Sequence, residues 1–120
     1  MLFRSLDGVT AISGSGPAYV FRFIEALTEA GLRYGFNDVQ AKRMAIATVL
    51  GSAELAKRSG ESPSVLREKV TSKGGTTYEA LKVMNDRHFM EMMQDAMDAC
   101  KKRAVELGDA FHESVEAAEK

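Results

Sequence analysis

Apolar residues recur every three or four positions along most of this chain, the spacing of an amphipathic helix and not of a strand. Over residues 16–34 one face carries Val20, Phe23, Ile24, Leu27, Ala30 and Gly31. Pro17 suits the first helical turn, where its missing N–H would be unpaired anyway, and Gly35 suits the stop. The stretch from Asn37 to Gly60 predicts a second long helix, with Asn37 and Gln40 in capping-box relation and Gly60 at the end. Between Ala45 and Ala56 its only charge is Glu54, so more than one face is apolar and the helix requires partners on several sides. Ser62 as cap and Pro63 at the first position open a short helix through "ESPSVLREKVTS". "TTYEALKVMND" opens another, with Thr76 and Glu79 in a Thr-x-x-Glu capping box and Leu81 and Met84 on the apolar face. In "RHFMEMMQDAMDACKKRAVELG" the stripe is Phe89, Met93, Ala96, Cys100, Ala104 and Leu107, and Gly108 ends or bends the helix. The tail "DAFHESVEAAEK" is acidic and poor in apolar residues, which reads as a loose or separate last helix. Only "GVTAIS" has strand character, and a lone strand has nothing to pair with. The fold class is therefore all-α, with five to six helices.

Length and composition sharpen this picture. The 120 residues fit one domain, residues 1–120, with room for a single core. Hydrophobic residues make up 45% and charged ones 28%, a balance that excludes disordered and membrane classes. With 16 basic against 17 acidic residues the net charge is −1, so no global field draws the chain to nucleic acid or an anionic membrane. No run of about 20 apolar residues, the length that crosses a bilayer, occurs in the sequence, and the start "MLFRSLDGVTAIS" lacks the middle region of a signal peptide. Cys100 stands alone, which rules out an internal disulfide and fits a reducing, cytoplasmic compartment. The nearly all-round apolar helix and seven methionines leave surplus apolar surface, which a homodimer covers most simply.

Candidate chemistry concentrates in "TSKGGTTYEA", residues 71–80. Thr76 as a helix N-cap would leave N–H groups at the helix start, where the dipole places partial positive charge. Gly74 and Gly75 let the backbone approach a bound group, Ser72 and Thr77 add hydroxyls, and Lys73 adds a cation. The loop reads either as a simple chain reversal, which most such turns are, or as a nest for a carboxylate or phosphate. It lacks the Gly-x-x-x-x-Gly-Lys-Ser/Thr spacing of a nucleotide phosphate loop. The second glycine-rich stretch, "ISGSGPAY", has Tyr19 where a dinucleotide fingerprint needs glycine or alanine, and helices flank it instead of strands, so it reads as a turn. His88 and His112 are too far apart for a helical metal pair, so no metal site is expected. Cys100 lies on an apolar stripe as a packed thiol, and Met90, Met92, Met93 and Met97 read as core or interface.

Two stretches together, "ISGSGPAYVFRFIEALTEAG" and "LREKVTSKGGTTYEAL", give the chain from about Asp7 to Leu107 a close resemblance to the C-terminal domain of the pyrroline-5-carboxylate reductases. These enzymes reduce 1-pyrroline-5-carboxylate to L-proline with NAD(P)H in the last step of proline biosynthesis. The resemblance implies a helical domain of the 6-phosphogluconate-dehydrogenase-like C-terminal type that interlocks with its twin in a homodimer, with higher oligomers left open. It also implies a Rossmann domain, outside these residues, that holds NAD(P)H; this chain by itself is then expected to bind no cofactor and to be inactive. The resemblance further implies that the loop grips the substrate carboxylate through Ser72, Gly74, Gly75 and Thr76, and that Thr77, the catalytic candidate, matches the threonine whose hydroxyl meets the ring nitrogen. Where the family has Ser-Pro-Gly-Gly, this chain has Ser72-Lys73-Gly74-Gly75, exchanging a rigid φ for a flexible cation. Two other readings remain at this point: a helical homodimerisation module without a substrate site, and the C-terminal domain of a related Rossmann dehydrogenase.

Overall fold

The computed structural model describes residues 2–119, so Met1 and Lys120, the outermost residues of the first and last stretches read above, lie outside the described residues. Among the described residues there are six α-helices, one π-helical segment and no strand. Helices α1 (Leu2–Val9), α2 (Gly16–Arg33), α3 (Asp38–Ser59), α4 (Pro63–Lys69), α5 (Thr76–Asp86) and α6 (Phe89–Glu119) follow in chain order. Two units are distinguished: one holds the chain up to Tyr19 together with the stretch from His88 onward, the other runs Val20–Arg87.

In the first unit, "GVTAIS", the one stretch with strand character, is helical, in keeping with the all-α class. α1 runs into a π-helical segment, Thr10–Gly14, closed by the Ser15 N–H donating to Thr10 O at 2.8 Å. Val9, Thr10 and Ile12 favour strands because they are stiff at χ1. Here hydroxyls bind back into the helix: Thr10 Oγ1 donates to Leu6 O at 3.0 Å and Ser13 Oγ to Val9 O at 3.0 Å. Ala11 of this segment is buried and packs the unit's core, with α1 and the π-helical segment set against α6.

Helix α6 is longer than the sequence signals indicate. It continues through Gly108 to Glu119, so the acidic tail belongs to the same helix and is not a separate one. An interior glycine costs only about 1 kcal/mol relative to alanine, too little to stop a helix whose flanks favour it. A Cβ added at Gly108 meets nothing within 4 Å. Gly108→Ala is therefore expected to raise stability by roughly 0.5–1 kcal/mol, read as a higher Tm in calorimetry.

In the second unit the local signals act as read. The Gln40 N–H donates to Asn37 Oδ1 at 2.9 Å and the Asn37 N–H donates to Gln40 Oε1 at 3.1 Å, a complete capping box. Gly60 closes α3 in the left-handed region at φ 71°, and Gly35 follows α2 at φ 97°. Ser62 Oγ accepts from the Val65 N–H at 3.3 Å to start α4, and a Lys69–Glu61 ion pair at 2.6 Å ties the end of α4 to the residues before it. The core is small: α2 and α3 meet where Gly31 lies against Ala41, and Gly31, Ala41 and Ala45 are buried. No large side chain is fully buried among the described residues, whereas Phe21 is 63% and Leu50 60% exposed. This is the apolar surplus that the composition indicated.

Candidate functional site

The loop between α4 and α5 is built by local chemistry. Val70 closes α4 through its N–H to Arg67 O at 3.3 Å, and the Thr71 N–H donates to Glu68 O at 3.1 Å. Gly74 sits at φ 77°, a conformation that excludes most side chains. Gly75 is different: its φ of −85° and ψ of −178° suit any residue, but a Cβ there would lie 2.5 Å from Ser72 Oγ and 3.1 Å from Ser72 O. The Gly75 N–H donates to that same Ser72 carbonyl at 2.9 Å, so Ser72 is folded over Gly75 in a tight turn.

This turn displaces the helix cap. The sequence reading made Thr76 the N-cap with Glu79 as its capping-box partner; in the structure Gly75 is the N-cap, Thr76 is the first helical residue, and no side chain caps the helix. Gly75 is extended, its N–H held by the Ser72 carbonyl, and the helix begins at Thr76. Glu79 supplies a main-chain N–H to Gly75 O at 3.2 Å in place of a capping carboxylate. The N–H groups of Thr76, Thr77 and Tyr78 thus precede the first intrahelical bond and stay uncapped among the described residues. Partial positive charge from the helix dipole accumulates at these donors.

The six candidate residues therefore lie within one turn. Ser72, Lys73, Gly74 and Thr76 are exposed, and Gly75 and Thr77 are half-buried. Such an arrangement can receive a small anion on two or three N–H groups, with the Ser72 and Thr77 hydroxyls and the Lys73 ammonium at its edge. No cluster of three metal-binding side chains occurs among the described residues.

The other candidates resolve differently. Gly14-Ser15-Gly16 joins the π-helical segment to α2 and has no strand before it, so these residues do not fit a dinucleotide cradle. Ser15 instead meets Cys100, whose Sγ lies 3.2 Å from Ser15 Oγ, a contact across 85 residues that no local pattern signals. That hydroxyl holds the Cys100 thiol below the usual thiol range. Tyr19 Oη is screened from solvent without a hydrogen-bond partner among the described residues. Of the methionines, Met93 and Met97 are half-buried with Cys100 along α6, while Met90 and Met92 are exposed. His88, exposed at φ 58°, accepts from the Met92 N–H at 2.9 Å through its carbonyl and so closes the first turn of α6.

Comparison with known proteins gives one consistent answer. The chain is 40% identical over 108 residues to pyrroline-5-carboxylate reductase 2 of Bacillus subtilis, covering 90% of this chain and 39% of that protein. Among solved structures, a pyrroline-5-carboxylate reductase from Coxiella burnetii superposes with a TM-score of 0.84 at 40% identity, over 87% of this chain and 38% of the other. A Plasmodium falciparum pyrroline carboxylate reductase with NADP bound superposes with a TM-score of 0.80 at 34% identity, over 83% of this chain and 38% of the other. The chain thus spans about two fifths of the length of these relatives. A sequence model described as pyrroline-5-carboxylate reductase dimerisation matches residues 4–107. With most of its length inside that match, the chain belongs to the family of pyrroline-5-carboxylate reductase dimerisation domains.

Proposed function

We propose that this chain is the helical dimerisation and substrate-holding part, a single C-terminal domain, of an enzyme that reduces 1-pyrroline-5-carboxylate to L-proline with NAD(P)H. The observation that carries the reading is the row of uncapped N–H groups at Thr76, Thr77 and Tyr78 beside the Ser72–Gly75 turn. A planar carboxylate on those donors gains charge-assisted hydrogen bonds and fixes the ring, and the Thr77 hydroxyl then meets the ring nitrogen. The residues supply positioning, and the hydride comes from the nicotinamide. Ser72, Gly74, Gly75 and Thr76 hold the carboxylate, and Thr77 orients the ring edge that receives hydride at C5. Two copies of the chain associate, in a cytoplasmic enzyme with no nucleic-acid or membrane partner.

Two measurements test this. Isothermal titration of the chain with L-proline should show saturable binding that Thr77→Ala weakens about tenfold, the loss of roughly one hydrogen bond, and that Thr77→Ser retains. A chimera carrying the cofactor-binding part of the Bacillus subtilis relative upstream of this chain should oxidise NADPH with pyrroline-5-carboxylate. A well-folded dimer with flat titrations and an inactive chimera would favour a helical homodimerisation module without a substrate site.

A further inference from the structure

The loop before α5 holds a turn of definite type. The Gly75 N–H donates to Ser72 O at 2.9 Å, closing a four-residue turn, Ser72-Lys73-Gly74-Gly75. Gly74, its third residue, has φ 77°; Lys73, its second, does not share the positive φ, which among the described non-glycine residues only His88 adopts. Negative φ followed by positive φ is a type II turn, and its second position favours proline, whose ring presets φ there. This chain places lysine at that position, and the turn makes no use of the Lys73 N–H. The side chain is exposed, and neither Glu68 nor Glu79, the carboxylates nearest to it in sequence, pairs with it among the described residues. Lysine thus gives the turn no rigidity; what it adds is a charge, three residues before the uncapped N–H groups that begin at Thr76.

We infer that Lys73 is a further holder of the ligand carboxylate and makes this loop prefer ring acids of net negative charge over zwitterions, and so the imine substrate over L-proline. The inference rests on the carboxylate reading above and specifies the charge state that the site selects. The uncapped amides are fixed dipoles that act on the carboxylate at contact range. An ammonium is a point charge on a flexible stem, and its field extends further, so it registers the charge of the whole ligand. In L-proline the secondary ammonium repels Lys73 and offsets much of what the carboxylate gains. The ring nitrogen of 1-pyrroline-5-carboxylate is an sp² imine, less basic than that amine, so the substrate is a net anion to a greater extent than the product. The two molecules have similar outlines, which a nest of amides distinguishes poorly; a nearby cation separates them by charge.

Isothermal titration of the chain with cyclopentanecarboxylate, a net anion, and with L-proline, a zwitterion, tests this at low and raised ionic strength. Added salt should weaken binding of the anion more than binding of L-proline. Lys73→Gln should weaken cyclopentanecarboxylate about tenfold, the loss of one charge-assisted contact, and L-proline by no more than about threefold, and should remove the difference in salt response. Lys73→Arg, which keeps the charge, should stay within about threefold of the parent for both ligands. Lys73→Pro suits the turn, so it should repeat the glutamine result with an unchanged or raised Tm, which separates the charge from the backbone. Lys82→Gln removes an equally exposed and unpaired charge from α5 and should alter neither affinity by more than about twofold. Unchanged or equal affinities for the two ligands on Lys73→Gln, or a Lys82→Gln chain that behaves like it, overturn the role of Lys73 and leave the carboxylate reading standing. A parent chain that binds neither ligand overturns both.

Discussion

Gly75→Val is expected to abolish L-proline binding by the chain, at least about a hundredfold, while the helices stay folded. A carboxylate held by two N–H groups draws roughly 1.5–3 kcal/mol from each charge-assisted bond, so loss of both exceeds that factor. The backbone of Gly75 does not itself require glycine, since its φ of −85° and ψ of −178° are open to any residue. The obstacle is Ser72, whose Oγ and carbonyl would lie 2.5 and 3.1 Å from an added Cβ. The hydroxyl can rotate away; the carbonyl cannot, because it accepts the Gly75 N–H at 2.9 Å and so defines the turn. A side chain at this position must open the turn, and the amides of Thr76 and Thr77 then lose their common aim. Gly74 predicts the opposite contrast. It needs the left-handed region at φ 77°, with open space around it, so Gly74→Asn should keep most of the binding because asparagine tolerates that region. Titration calorimetry of the two variants beside the parent decides the matter: equal losses from both, or none from Gly75→Val, would separate the Ser72–Gly75 turn from ligand binding.

What could be read from the residues alone follows the range of the interaction involved. The Asn37–Gln40 capping box, the Ser62 cap and the glycine stops at Gly35 and Gly60 depend on groups three or four positions apart, and each stands as the sequence indicates. The candidate loop was legible for the same reason, as a cluster of hydroxyls, glycines and one cation within six residues. Its cap was misplaced by one residue because the deciding contact, Ser72 folded over Gly75, is a tertiary detail of the turn and carries no residue-type signature.

Elsewhere, too, longer-range packing decides against local propensity. At the start of the chain Val9, Thr10 and Ile12 carry strand propensity, which the back-bonding hydroxyls of Thr10 and Ser13 and the burial of Ala11 outweigh. At Gly108 a weak local stop signal lost to a helix that is favourable on both sides. The Ser15–Cys100 contact, joining residues 85 apart, lies beyond any single-sequence pattern. What composition did convey was the scarcity of buried apolar residues: Ala11 in one unit and Ala41 and Ala45 in the other are the buried hydrophobic residues among those described. A chain that leaves Phe21 and Leu50 mostly in water has placed them for another surface, in accord with a family named for dimerisation.

Gly31→Leu should be the most destabilising single change in the second unit, lowering stability by about 3 kcal/mol or more and Tm by more than about 10 °C. A Cβ at Gly31 would lie 2.9 Å from Ala41 Cβ, closer than two carbons can sit, and 3.4 Å from Ala41 Cα. Ala41 cannot withdraw easily. It is 2% exposed, its N–H donates to Asn37 O at 2.9 Å, and its neighbour Gln40 is held in the capping box, so moving it away from α2 breaks the start of α3. Gly31→Ala is the milder case, because alanine recovers about 1 kcal/mol of helix propensity against the cost of the same contact. Combining Gly31→Ala with Ala41→Gly exchanges the methyl between the two helices and should recover most of what the contact costs, a coupling that thermal denaturation of the four chains measures directly. If Gly31→Leu melts with the parent chain, the close approach of α2 and α3 at this point does not hold the unit together.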